Sequence, residues 1–271
     1  MSAVPVVRRA GVQVHPVTQV RVVRSEWIKL QTLRSTWFTV GIAILALVGV
    51  GFLVSWATAA HWAQGGPGQR IGFDPVQRSL VGVFLAQLAV GVLGVLAVTG
   101  EYSTGMIRST LTAVPRRLPV LWAKLAVVAA LIFAVMLVAS IVTFLGGQAL
   151  LGPHGTTFSH PGALRAVVGV ALYLTVVAVF AIGLGFSLRS TAGGIATLVA
   201  LLLILPVLAN ALPSSWQADI IPYLPGQAGG AIYRTRYAVN TMAPWTGFAV
   251  FCAWAAAAVG LGAYLLRRRD A

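Results

Sequence analysis

Six unbroken apolar runs constrain this chain more than anything else in it: Trp37–Ala59, Ser79–Thr99, Leu125–Leu145, Ala166–Leu188, Thr191–Leu212 and Trp245–Leu266. Each holds 21 to 23 residues, and a helix needs ~20 to cross ~30 Å of hydrocarbon. Backbone N–H and C=O groups find no water in lipid, so runs of this kind must be helices rather than loops or open strands. Composition agrees. Of 271 residues, 58% are hydrophobic and 9% charged, where soluble domains carry about a quarter charged residues. The expected fold is an all-α membrane protein with six transmembrane helices and no sizeable soluble core.

The first run begins too late for the apolar region of a secretory signal, which falls in the first 15–30 residues or so. The single cysteine, Cys252, lies inside the last run and has no internal disulfide partner. Orientation follows from the cations. With the N-terminus inside, fourteen of the nineteen Lys and Arg fall on the cytosolic side, at both termini and around residues 108–124 and 189. Only Arg70, Arg78, Arg165, Arg234 and Arg236 fall outside. Both termini are therefore expected in the cytosol of a multi-pass protein of the cell membrane. The net charge of +14 reports topology and contact with anionic lipid. It does not point to nucleic acid, because it is not gathered on a soluble face.

Along the chain, residues 1–16 read as a flexible cytosolic tail, 17–36 as an amphipathic helix in the membrane interface, and 37–271 as the six-span domain. Val20, Val23, Trp27, Leu30 and Leu33 recur at helical spacing, with Arg21, Arg24, Ser25, Lys29 and Thr32 mostly on other faces. Spans four and five are joined around Arg189–Ser190 and must be antiparallel neighbours. Pro206 should bend the fifth span. The outer connection Pro213–Pro244 alternates apolar residues with prolines, which suggests short helices resting on or dipping into the outer leaflet. Gly91, Gly94, Gly183, Gly185 and the run Ala255–Gly262 allow close helix approach, within one chain or against a second copy.

Several chemistries are excluded or disfavoured. No Asp, Glu, Lys, Arg or His falls inside the six runs as bounded, which argues against a carrier built on buried charge. Lys124, at the inner edge of the third run, is expected to snorkel to the interface. An intramembrane serine protease needs a histidine at depth, and Ser187 reads instead as a hydroxyl bonded to its own helix. His61, His154 and His160 sit in loops with no ligand set around them, so no metal or other cofactor is expected. Only Lys29 and Lys124 are lysines, and neither follows a glycine. A G-x-x-x-x-G-K-[ST] loop is thus ruled out, and the chain is neither an ATPase nor, on these residues, any other enzyme.

A charged knuckle, EYSTGMIRSTLTAVPRR at Glu101–Arg117, separates the second and third runs. Glu101 and Arg108, seven apart, are expected to share a helix face. Met106, Ile107 and Leu111 supply apolar contact, Gly105 permits close approach, and Pro115 stops the short helix. The stretch GEYSTGMIRSTLTAVPRRLPVLWAKL resembles the first cytosolic loop of type-2 ABC transporter permeases. The basic segment RSEWIKLQTLRSTW before the first run and DIIPYLPGQAGGAI after the fifth extend that resemblance over most of the chain. The resemblance implies a permease that forms the translocation pathway of an ATP-driven exporter. Its partners would be a cytosolic ABC ATPase subunit, a second permease chain (identical or related), the lipid bilayer, and a small-molecule or lipid-like substrate. The knuckle would be the coupling helix. Glu101, Gly105, Arg108 and Pro115 match the family pattern, and Tyr102, Met106, Ile107 and Arg116 would adjoin them at the ATPase contact. Residues Trp216–Ala231 would cover the exit. Gln87 and Asn210 are candidate polar groups on the pathway, or simply hydrogen bonds between helices. The alternative function is a non-transporting scaffold or sensor whose knuckle recruits a cytosolic regulator.

Overall fold

The computed structural model describes residues 18–64, 72–114, 116–236 and 241–268. The tail assigned to residues 1–16 lies outside the described residues, as does Pro115. The described residues form helices and no strand. A helix α1 (Gln19–Thr32) precedes six helices long and apolar enough to cross a membrane, α2 (Arg34–Ala60), α3 (Pro75–Ser103), α5 (Leu118–Leu151), α6 (Ala163–Leu188), α7 (Thr191–Ala209) and α10 (Pro244–Arg268). A short helix α4 (Met106–Ala113) links α3 to α5. Two more, α8 (Ser214–Ile220) and α9 (Pro225–Gly230), lie between α7 and α10.

The helices overrun the apolar runs that predict them. α3 begins at Pro75, where the Asp74 carboxylate accepts from the N–H groups of Val76 and Gln77 and so caps it. It continues past Thr99 to Ser103, taking Glu101 into the helix. α5 starts at Leu118 rather than Leu125 and takes in Lys124. The apolar runs hold no Asp, Glu, Lys, Arg or His, but the helices that overrun them do: Arg78 and Glu101 in α3, Lys124 in α5, Arg165 in α6 and, at helix ends, Arg34 of α2 and Arg267 and Arg268 of α10. A composition window ends a span at a charge, whereas a helix continues wherever that charge finds a partner.

α6 is the centre of the bundle. It packs on α3, α5 and α10 and contributes Tyr173, Leu174, Phe180 and Phe186 to the fully buried core. Small residues set the approach distances: a Cβ on Gly94 would lie 2.7 Å from the Ala178 carbonyl oxygen, and one on Gly183 2.6 Å from the Val259 nitrogen. These two glycines therefore serve contacts within the chain. Ser187 donates to the Gly183 carbonyl, within its own helix, at 2.9 Å. α7 passes through a π turn over Ala200–Ile204 just before Pro206.

The outer connection divides in two. Trp216 and Tyr223 are exposed, whereas Pro225, Ala228, Gly229 and the following Ala231 and Ile232 are buried against α6 and α10. Arg165 at the head of α6 holds this inserted half, donating to the carbonyls of Ile232 (2.7 Å) and Arg234 (3.0 Å). Those carbonyls have no helical partner, and the guanidinium fork supplies one.

Candidate functional site

α3 and α4 meet at a sharp turn. Gly105 has φ +71°, a left-handed conformation that costs an L side chain but not glycine. Its N–H donates to the Tyr102 carbonyl at 3.2 Å, while its own carbonyl accepts from Arg108 N–H at 3.1 Å. The chain changes direction there, so Glu101 and Arg108 sit on different helices and share no face. Nothing lies within 4 Å of a Cβ built on Gly105. Its positive φ makes the backbone turn, and no other part of the chain crowds it.

α4 is amphipathic. Ile107 and Leu111, four apart, are buried and belong to the same core as Leu30 of α1. Met106, Arg108, Ser109 and Thr112 are exposed, as is Arg116 beyond the helix. Arg117 donates to the Leu266 carbonyl at 3.1 Å, tying the head of α5 to the end of α10. The Arg189 guanidinium, at the α6–α7 link, lies over the half-buried Tyr102 ring at 5.1 Å.

Inward of this turn lies a feature that sequence reasoning missed. Glu26, Lys29, Glu101 and Lys124 form a closed ring of alternating charge. Lys29 Nζ donates to Glu26 Oε1 at 2.6 Å and to Glu101 Oε1 at 3.1 Å. Lys124 Nζ donates to Glu26 Oε2 at 2.5 Å and to Glu101 Oε1 at 2.8 Å. Glu26, Glu101 and Lys124 are 2%, 5% and 4% exposed. Lys29 is half-buried and reaches outward to Thr110 Oγ1 of α4 at 3.4 Å. Four elements meet here: α1 through Glu26 and Lys29, α3 through Glu101, α4 through Thr110, and α5 through Lys124. The second Glu101 oxygen, Oε2, is buried with no hydrogen-bond partner among the described residues.

Two formal positive and two formal negative charges cancel, so no net charge is placed in low dielectric. The ammonium group suits the position, being a compact charge with three N–H donors that can serve more than one carboxylate. Burial opposes the charge on Lys29, but the hydrogen bonds and negative charge of Glu26 and Glu101 outweigh it and raise its pKa above the ordinary lysine value. What Lys29 contributes to docking α1 is thus complete throughout neutral pH and lost only in strong alkali.

These observations correct several expectations. Glu101 and Ile107 point into the protein instead of forming an outward contact. Lys124 is buried in an ion pair and does not snorkel. On α1, the residues facing the protein are Val22, Glu26 and Leu30, while Val20, Trp27 and Leu33 are exposed. Lys29, assigned to the outer polar face, turns inward. One sequence signal did mark the ring: in a chain with nineteen Lys and Arg and five Asp and Glu, its members are the only two lysines and the only two glutamates.

The remaining candidates have local partners. Gln87 is buried and accepts from Tyr173 Oη between α3 and α6. Asn210 is exposed at the end of α7, where its amide donates to the Pro206 carbonyl at 2.9 Å. Thr191 Oγ1 donates to Thr99 Oγ1 at 2.8 Å, joining α7 to α3.

Residues 22–207 match the family described as ABC-2 family transporter protein, a stretch running from α1 into α7 and containing the whole charge ring and α4. No match was found among curated proteins. With that match covering well over half of its length and six helices long and apolar enough to cross a membrane, the chain belongs to the ABC-2 transporter family, as a membrane permease subunit of an ABC transporter.

Proposed function

We propose that this permease exports a small-molecule or lipid-like substrate and is driven by a separate cytosolic ATPase seated on α4. The observation that carries the reading is the two-sidedness of that helix: Ile107 and Leu111 anchor it in the core, and Met106, Arg108, Ser109 and Thr112 face away from the protein. A helix held firmly on one side and open on the other is suited to receive force from a partner. Arg116 extends the same surface. The cation bias supports a cytosolic position for this surface and for both termini. ATP binding would draw two ATPases together and displace the coupling helices of two permease chains, moving the spans as rigid bodies. The pathway would lie between the two chains along α3 and α7, and the exposed part of the outer connection around Trp216 would border its exit.

The test is affinity purification from mild detergent of the parent chain and of a Met106→Asp/Arg108→Glu double variant. Both positions are exposed, so the variant should insert and melt like the parent. A P-loop ATPase should accompany the parent and fall about tenfold or more in the variant, the loss expected when residues central to an interface are reversed in character. Equal recovery of the ATPase with both chains sinks the proposed contact.

A further inference from the structure

We infer that the ring of Glu26, Lys29, Glu101 and Lys124 is the joint through which movement of α4 reaches α1, α3 and α5. The inference rests on the coupling function proposed above and names the positioning residues within it. α4 has two attachments to the rest of the protein on its inner side. One is apolar, through Ile107 and Leu111. The other is polar, through Thr110 to Lys29. Lys29 bonds two carboxylates that belong to different helices, and both carboxylates bond Lys124 on a third. A shift of α4 therefore reaches the ring through the 3.4 Å contact of Thr110 with Lys29, and the ring passes it to α1, α3 and α5 by contacts of 2.5 to 3.1 Å. Apolar contacts are non-directional and can repack against new neighbours, whereas buried ion pairs cannot separate without leaving uncompensated charge. The ring thus makes the inner ends of these helices move together.

Space for that movement is present. A cavity of about 260 Å³ adjoins the ring, bounded by Glu26, Lys29, Leu33, Thr36, Leu93 and Met106. It lies where α1, α2, α3 and the start of α4 come together, so α4 and the ring can shift toward it without compressing the core. The alternation of charge also restricts substitution. Exchanging Glu26 with Lys124 would put like charges beside Lys29 and Glu101, so no pairwise swap preserves the ring.

One variant separates a transmitting role from a merely structural one. Lys29→Met with Glu101→Gln removes one charge of each sign, leaves the Glu26–Lys124 pair intact and disconnects α4 and α3 from it. The complex of this chain with its co-purified ATPase is reconstituted in lipid nanodiscs. All chains carry Cys252→Ser and Leu150→Cys, the latter exposed at the far end of α5 from Lys124, labelled with an environment-sensitive fluorophore. The parent should show a MgATP-dependent fluorescence change. The variant should retain the ATPase and its melting temperature, hydrolyse MgATP, and lose most of that change. A variant that responds as the parent does overturns the role of the ring. A parent that holds no ATPase, or shows no MgATP response, overturns the coupling function and this inference with it. Should the double variant fold poorly, Thr110→Val, which deletes only the hydroxyl that Lys29 reaches, is read in the same assay. A response reduced by a measurable fraction supports the joint, and an unchanged one counts against it.

Discussion

Removing Lys124 alone would leave two buried glutamates with one half-buried ammonium between them. Breaking a buried ion pair in this way costs about 3–5 kcal/mol, because the surviving charge stays in low dielectric without compensation. Lys124→Met should therefore melt well below the parent in detergent, as followed by tryptophan fluorescence. Adding Glu26→Gln to it leaves the neutral Lys29–Glu101 pair and should recover much of the loss. Melting of Lys124→Met at the parent temperature would show that the ring contributes nothing to stability. The sequence carries a mark of these residues, since the chain has no other lysine or glutamate, although the sequence reading did not group them. Their meeting was not legible, because Glu26 and Lys124 are 98 residues apart.

Among the elements, α4 depends on its turn more than on its length. An eight-residue helix is too short to be stable by itself, so its direction comes from Gly105 and its hold from Ile107 and Leu111. Gly105→Ala meets no steric neighbour, yet places a side chain at φ +71°, a strain of roughly 1–2 kcal/mol. Hydrogen exchange over residues 106–113 should accelerate by about tenfold in that variant, with the spans unchanged. Unaltered protection would mean that the turn tolerates a side chain without loosening the helix. The π turn of α7 belongs to the same scale: the proline at position 206 is legible in the sequence, but the π turn over Ala200–Ile204 before it appears only in the folded backbone.

For the whole molecule, the decisive arrangement is α6 surrounded by α3, α5 and α10. Its closeness to α10 depends on Gly183, where a side chain would strike the backbone at Ala258 and Val259. Gly183→Leu should force those helices apart, costing about 1–3 kcal/mol or more, and should broaden the size-exclusion peak in detergent. Gly260, with nothing within 4 Å of an added Cβ, serves as the control and should accept leucine. Equal behaviour of the two would contradict the tight α6–α10 contact.

The number of helices long and apolar enough to span a membrane, the helix before the first of them and the short helix at the knuckle were determined by the sequence alone. Each depends on residues close together in the chain: apolar length against bilayer thickness, helical spacing, and a glycine or proline at a turn. Which side of each helix faces inward was decided by tertiary structure. In a chain this apolar, lipid and protein interior favour the same side chains, so hydrophobicity does not distinguish the two faces. Charge distinguishes them, because a carboxylate or ammonium can enter low dielectric only where the fold delivers its partner. That is why Glu101, read as a contact for another protein, proved to be a contact for two distant lysines of its own.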